Sequence, residues 1–519
     1  MSFRFTSLPK FPLLLTLATL TGGANAFAFA PFGLWPIQLL TLALLIWCLA
    51  RVASVKQGAL LGWAYAVGWA LGGVSWIYIS LHDYGGMPAW IAALAVALMA
   101  VAVALYASLA AGLTVWLRQR WAASPLLLAL VIFPAIWCLS EWLRGWLFTG
   151  FPWLISGYAH SASPLAGFAP LLGVYGVGAL SALIAGCLAL LPRYKLPTAA
   201  ALLVLLAGLG LHGIDWTAPS GRPISVRLLQ GNVPQEIKFD LTHINDSLRL
   251  YYDMITAAPA DLIATPESAV PVFQTQLPRD YLPALSNFAQ QSGSHIGLGI
   301  PLADGRDRYT NSMIGLAPHA ANDSPQPPYR YDKQHLLPFG EFIPFGFRWF
   351  VDLMNIPLGD FNRGPKLQSP FAVKDQWVLP NICYEDLFGE EIAAQLAAAQ
   401  ATGKPVPTLL LNMSNLGWFG NTIALPQHLQ VSQMRALETG RPMLRATNTG
   451  ATAVIDPHGR VLEQLPPLTQ ATLAISVQGY SGTTPYIVLG NRLTLGLALL
   501  MLAGAWLWSR KRRADMADR

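Results

Sequence analysis

Three side chains that together could make and break an acyl bond end strand-like runs in one polar stretch of this 519-residue chain. Glu267 follows Leu262-Ile263-Ala264-Thr265-Pro266, Lys333 follows Tyr329-Arg330-Tyr331-Asp332, and Cys383 follows Val378-Leu379-Pro380-Asn381-Ile382. A thiol is a nucleophile, a carboxylate can take its proton, and an ammonium can stabilise the oxyanion formed at an attacked carbonyl. Strand ends of an α/β sheet can converge on one crevice, so residues far apart in sequence can meet there.

Cys383 is the only one of 4 cysteines outside the apolar runs, which hold Cys48, Cys138 and Cys187. Without a disulfide partner in its own stretch it is either a nucleophile or small buried filler. Glu385–Gln400 has a helical pattern, so the thiol sits at a helix start near a lysine, a setting expected to lower its pKa. Backbone N–H groups around Tyr384 would then face a developing oxyanion. Histidine is the rival base: His335 would share the face of Lys333 on a strand, and His428 lies on a helical pattern. The absence of Cys/His clusters at ligand spacing and of HExxH predicts no metal, and no cofactor is expected.

The elements that must position these residues read as short strands alternating with helices. Strands are predicted at Ser225–Gln230, Asp261–Thr265, His295–Ile300, Ser312–Leu316, Gln376–Ile382, Thr408–Met413, Arg445–Asn448, Thr452–Ile455 and Thr472–Val477. Helical patterns run over 240–257, 278–292, 386–401 and 424–440, and Asp456–Arg460 is a tight turn closing a late hairpin. The segment 304–328 reads mostly as loop. This alternation predicts an α/β layered domain.

Around that domain the chain is lipid-like: 54% hydrophobic, 12% charged, mean hydropathy +0.43, where soluble domains carry about 25% charged residues. About eight transmembrane helices are predicted, near 11–29, 34–50, 57–80, 89–116, 124–142, 166–191, 197–213 and 487–508. The domains are then a membrane domain over 1–214, a catalytic domain over 215–484, a last helix over 485–509 and a basic tail over 510–519. Arg51, Lys56, Arg118, Arg120, Arg193, Lys195 and the run Arg510–Arg513 fall in every second loop, which puts the N-terminus in the cytoplasm and 216–480 outside it. Lys10 and Ala24-Asn25-Ala26 also allow a signal peptide, although the helices that follow at once favour an uncleaved first span. The net charge of +6 is accounted for by cytoplasmic loops and needs no nucleic acid. Few ionisable residues lie in the spans, Glu141 being the exception, which disfavours a transporter.

The strings Thr265-Pro266-Glu267-Ser268, Tyr331 to Glu341 and Ile382-Cys383-Tyr384-Glu385 resemble the carbon–nitrogen hydrolase (nitrilase) superfamily. With Asn412-Met413-Ser414-Asn415, Trp418-Phe419-Gly420, Arg435-Ala436-Leu437-Glu438, Arg441-Pro442 and Arg445 to Gly450, the whole chain resembles the bacterial apolipoprotein N-acyltransferase family.

That resemblance implies a multi-pass α-helical membrane domain plus an αββα nitrilase-like sandwich, in the bacterial inner membrane with the sandwich facing the periplasm. It implies ping-pong transfer of the sn-1 acyl chain of a phospholipid, typically phosphatidylethanolamine, through a Cys383 thioester. The acceptor is the α-amine of an apolipoprotein's N-terminal S-diacylglyceryl-cysteine. Glu267 would be the base and Lys333 the oxyanion partner, with Glu341, Tyr384 and Glu385 supporting them. Phe239, where the family has tryptophan, and Trp418 and Phe419 on a glycine-flanked turn are candidate substrate contacts. So is Trp153, in the loop 144–165. The lipid bilayer is the remaining partner, and a monomer is the simplest reading for a chain carrying both halves of its site. A tethered hydrolase would use the same triad, but one anchor helix would suffice for it.

Overall fold

The computed structural model describes residues 10–191, 194–240, 242–305, 308–319, 328–351 and 360–517. Arg193 and much of the 304–328 segment lie outside these. The chain forms two compact units: Met1–Ile77 with Trp90–Ile214 and Leu489–Arg519, and Tyr78–Ala89 with Asp215–Val488.

The first unit holds α1 (Phe11–Asn25), α2 (Trp35–Leu49), α3 (Val55–Val74), α4 (Ala89–Arg120), α5 (Phe133–Trp146), α6 (Ala169–Leu190), α7 (Leu196–Leu211) and a last helix, Arg492–Ala517. Five stretches are long and apolar enough to cross a membrane: Phe11–Ala28, Ala89–Arg120, Pro125–Thr149, Pro164–Leu190 and Arg492–Asp515. A sixth forms if α3 and Ile77–Tyr84, bent by 61°, count as one span. Helices thus stand at all eight predicted places, but α2 has 15 residues and α7 has 16. At 1.5 Å per residue they reach about 24 Å, short of the roughly 30 Å hydrocarbon core. The expected runs, 34–50 and 197–213, agree with these helices to within two residues at each end, so both elements are short in the sequence as well.

Small residues let the helices approach closely. A Cβ on Gly22 would lie 1.8 Å from the Tyr65 carbonyl, and one on Gly68 2.0 Å from that of Thr19, so α1 and α3 pack backbone to backbone. Glu141 and Arg144, both on α5, are buried. Glu141 Oε1 accepts from the Ser156 N–H and Oγ at 2.8 and 2.7 Å, and an Arg144 guanidinium nitrogen donates to the Trp153 carbonyl at 2.7 Å. Arg144 is therefore a helix residue pinning a loop.

The second unit contains two six-stranded sheets. One has the order β13-β2-β3-β4-β5-β6, and comprises β2 (Ile224–Gln230), β3 (Leu262–Ala264), β4 (His295–Ala303), β5 (Tyr309–Leu316), β6 (Tyr329–Asp332) and β13 (Ala471–Val477). The other has the order β12-β11-β10-β9-β8-β7, and comprises β7 (Phe371–Val373), β8 (Gln376–Ile382), β9 (Leu409–Ser414), β10 (Met443–Thr447), β11 (Ala453–Ile455) and β12 (Val461–Gln464). A short pair, β1 (Thr217–Pro219) with β14 (Tyr480–Gly482), completes the strands. The central strands pair in parallel, β2 with β3 and β3 with β4, β8 with β9 and β9 with β10. Their near-continuous apolar runs are those of strands covered on both faces.

The sheets meet through Val226, Leu228, Val378, Leu409, Leu411 and Leu444. The helices α8 (Ile244–Thr256) and α9 (Tyr281–Ser292) cover the outer face of the first sheet. On the second sheet that part is taken by α10 (Gly389–Thr402) and α11 (Ala424–Thr439). The result is an αββα sandwich. Strands β1, β7 and β14, three residues each, are too short to carry a readable periodicity and were not legible in the sequence.

Candidate active site

Glu267 is lifted off the end of β3 by Thr265-Pro266. Thr265 Oγ1 accepts the Gly299 N–H at 2.9 Å, and a Cβ on Gly299 would sit 2.2 Å from the Pro266 carbonyl, so this crossing needs a glycine. Lys333 is the first residue past β6, its N–H bonded to the Asn311 carbonyl at 2.8 Å. Cys383 is the first residue past β8 and has φ +51°, a strained setting for a side-chain-bearing residue.

The three meet. Lys333 is 1% exposed, and its Nζ donates to Glu267 Oε1 at 3.1 Å and Glu341 Oε1 at 2.8 Å. The Cys383 thiol hydrogen-bonds the Glu267 carboxylate. Asn311 Nδ2 bridges the two glutamates, 2.7 Å from each Oε1. Glu267 Oε2 accepts the Asn415 N–H at 2.9 Å, and Glu341 Oε2 that of Leu337 at 2.8 Å. A second buried amine, Lys238, 2% exposed, donates to the Glu267 carbonyl at 3.1 Å.

Electrostatics fix the resting protonation. Burial opposes ionisation of Glu267, but Lys333, the Asn311 and Asn415 donors and Lys238 outweigh it and hold the carboxyl below its usual range. Burial alone would push the Lys333 ammonium down, yet Glu267 and Glu341 hold it above its usual range. Burial first, then the charges of Glu267 and Glu341, push the Cys383 thiol up despite Lys333. The resting site is carboxylate, ammonium and neutral thiol. This corrects the expected lowered thiol pKa. The α-helix begins only at Gly389, and Cys383 opens a short 3₁₀ turn, Cys383–Leu387, so the helix dipole acts from a distance.

Glu385 ties the thiol's turn to the lysine's segment. Its Oε2 accepts the Ile382 N–H at 2.6 Å and the Tyr331 hydroxyl at 2.9 Å, and its Oε1 accepts the N–H groups of Gln334 at 2.6 Å and His335 at 3.2 Å. Tyr384 is buried, its ring 5.3 Å from that of Phe388.

Neither histidine is placed as a base. The chain leaves the strand at Lys333, so the His335 ring turns to Glu391, 2.9 Å from its Nδ1, and stacks on Phe388. His428 accepts from Arg445 at 2.8 Å and bonds the Cys383 main chain, and burial and Arg445 push its pKa well down. Arg445 in turn pairs with Asp386 at 3.2 Å, with Ser432 between them.

The candidate substrate contacts divide between the two units. Trp418 and Phe419, both half-buried, form a 3₁₀ turn directly after β9. Ser80 Oγ donates to the Trp418 carbonyl at 2.6 Å, and the Tyr84 ring lies 6.2 Å edge-on to that of Trp418. Phe239 is half-buried, with Lys238 Nζ 5.9 Å from its ring centre. Trp153 belongs to the first unit, where its ring is buried against Trp76 at 4.9 Å and lines a cavity with Trp69, Trp137, Glu141 and Arg144.

Sequence reasoning did not single out Lys238 or Asn311. Lys238 carried a faint signal, a lone lysine between Ile237 and Phe239. Asn311 carried none, because only the β4–β5 and β5–β6 registers bring it between the glutamates.

Comparison with known proteins finds the apolipoprotein N-acyltransferase N-terminal domain over residues 21–187 and carbon-nitrogen hydrolase over 225–486. A relative from Ralstonia nicotianae, described as apolipoprotein N-acyltransferase, is 50% identical over 507 residues, covering 96% of this chain and 94% of its own. One from Nitrosomonas europaea with the same description is 44% identical over 504 residues, covering 95% and 97%. Among solved structures, an amidase from Nesterenkonia sp. is similar at 17% identity and TM-score 0.37, covering 53% of this chain and 96% of its own.

Proposed function

The chain belongs to the apolipoprotein N-acyltransferase family, and from that premise we propose that Cys383 carries an acyl chain between a phospholipid and an apolipoprotein. The enzyme is a membrane-integral acyltransferase of lipoprotein maturation, with a phospholipid as donor and lipoproteins as acceptors. The observation that carries the site assignment is the shared contact of Glu267 with both Lys333 Nζ and the Cys383 thiol.

In the first half-reaction sulfur attacks the sn-1 ester carbonyl while the thiol proton passes to Glu267, which is ionised at rest. The carbonyl oxygen becomes an alkoxide that the Lys333 ammonium stabilises. Collapse expels the glycerol alkoxide of the lysophospholipid, which takes the proton back from Glu267, leaving a thioester. In the second half the α-ammonium of the diacylated cysteine loses a proton to Glu267 and attacks the thioester. Amide formation releases two protons from that ammonium: one returns to sulfur through Glu267 and the other goes to solvent. A thioester is a better acyl donor to an amine than the original ester, so one hard step becomes two easier ones. Glu341 holds Lys333 alongside Glu267, the two carboxylates being bridged by Asn311. Phe239, Trp418 and Phe419 offer apolar contacts for acyl chains.

Phosphatidylethanolamine as the donor, a monomer as the working unit, and an inner-membrane location with residues 215–484 as a periplasmic catalytic domain complete the proposal. The loop cations support that orientation. The test supplies purified protein with phospholipid labelled in its sn-1 chain and a diacylated lipopeptide. Transfer predicts labelled amide and parallel double-reciprocal plots; label released only as free fatty acid identifies a hydrolase and refutes it.

A further inference from the structure

The Gln235 side chain ends in a hydrogen-bond donor that no described residue accepts. Gln235 is 6% exposed, and its Nε2 has no partner among the described residues. The orientation of this amide follows from a relay that starts at the backbone. The Val233 N–H can only donate, and it donates to Asn448 Oδ1 at 3.0 Å, which fixes the Asn448 amide. Asn448 Nδ2 then donates to Asn415 Oδ1 at 3.1 Å, and Asn415 Nδ2 to Gln235 Oε1 at 2.9 Å. Each amide in turn has its oxygen and nitrogen assigned, so the free atom at the end of the relay is a donor.

The relay also reaches the catalytic carboxylate, since the Asn415 main-chain N–H donates to Glu267 Oε2 at 2.9 Å. Gly417, at the foot of the Trp418–Phe419 turn, packs so closely that a Cβ there would lie 2.9 Å from Gln235 Oε1. A buried donor without a partner is costly, and such atoms are rare in native proteins. Here two side chains, Asn415 and Asn448, and the backbone hold it in a chain that also reaches the base. Held this way, it suits an oxygen that arrives with the substrate.

We propose that Gln235 Nε2 binds a carbonyl oxygen of the substrate, in a subsite between Glu267 and the Trp418–Phe419 turn. The inference deepens the acyl-transfer reading and rests on it. Two carbonyls share the required chemistry: an ester carbonyl of the phospholipid donor and an ester or peptide carbonyl of the lipopeptide acceptor. The two half-reactions separate them.

The experiment uses the full chain in detergent with Gln235→Met and Gln235→Glu. The glutamate keeps an acceptor for Asn415 Nδ2 and replaces the NH₂ donor by a carboxylate oxygen, and the methionine removes the donor without adding charge, so an effect shared by both variants reports the donor. One arm measures thioester formation from labelled phosphatidylethanolamine; the other measures amide formation from preformed acyl-enzyme and a diacylated lipopeptide. Both variants are expected to raise KM about tenfold in one arm, about 1.4 kcal/mol, with kcat in that arm within twofold and the other arm unchanged. The affected arm names the oxygen's source. Wild-type KM in both arms for Gln235→Glu overturns the inference, as does an equal fall of kcat in both arms with KM unchanged, which marks a structural role. The parent reading fails separately, if Cys383→Ala still acquires label.

Discussion

Replacing Glu385 by Gln tests how the nucleophile's turn is held. Burial pushes the Glu385 carboxyl up to about 7, so above that pH it is ionised and accepts four hydrogen bonds, from the N–H groups of Ile382, Gln334 and His335 and from the Tyr331 hydroxyl. An amide has one oxygen. Its best orientation turns that oxygen to Gln334 and His335 and its NH₂ to Tyr331, whose hydroxyl can rotate to accept. The Ile382 N–H then faces a donor at 2.6 Å from the former oxygen position. That orphaned donor costs about 1–3 kcal/mol, and losing charge assistance on two retained bonds adds about 1 kcal/mol each. The sum is about 4 kcal/mol, a large share of the 5–15 kcal/mol typical of a folded protein. For a unit of this size each kcal/mol is worth about 2–4 °C, so the catalytic unit should unfold about 10 °C lower by calorimetry in detergent. The loss falls on the residue before Cys383, whose φ of +51° is a strained setting that this cap stabilises. Misplacing a nucleophile by about 1 Å costs roughly 10²-fold, so thioester formation should slow by about that factor. A variant that melts within 2 °C of wild type and forms thioester at the normal rate refutes the reasoning.

Three further outcomes follow from the same geometry. With Cys48, Cys138 and Cys187 replaced by Ala, alkylation of Cys383 by iodoacetamide should keep rising beyond pH 9 without a plateau, because burial and two carboxylates hold the thiol protonated; a plateau by pH 7 would contradict this. Lys238, pushed down to about 8 by burial, carries its charge below that pH and loses it above. The wild-type rate of thioester formation should therefore show a descending limb near pH 8 that is absent in Lys238→Met, and a limb that survives the substitution assigns it elsewhere. Gly420 has φ +57° and ψ −162°, a combination nearly confined to glycine. Gly420→Ala should strain the aromatic turn by about 1–3 kcal/mol and speed proteolytic cleavage there, while unchanged cleavage would show that the turn tolerates a Cβ.

Much of this site was legible because strand ends announce themselves. Glu267, Lys333 and Cys383 each follow an apolar or alternating run, and sheet topology does the rest. The helices α8 to α11 were legible from their periodicity. What escaped depended on register or on environment. Asn311 joins the two glutamates only because β5 pairs with both β4 and β6. The Cys383 pKa turned on the desolvation of a half-buried residue and on a second carboxylate, Glu341, neither of which is written in the residues around it. In the membrane unit hydropathy located α2 and α7 to within two residues at each end.

The central claim is that Cys383 is the acyl carrier and Glu267 its base. Intact-mass measurement after incubation with phosphatidylethanolamine tests it directly. The account predicts one added acyl chain, mapped to Cys383 and removed by neutral hydroxylamine, absent in Cys383→Ala and formed at least 10²-fold more slowly in Glu267→Gln, the lower range for a general base. An acyl adduct that persists in Cys383→Ala, or forms at the wild-type rate in Glu267→Gln, would contradict it.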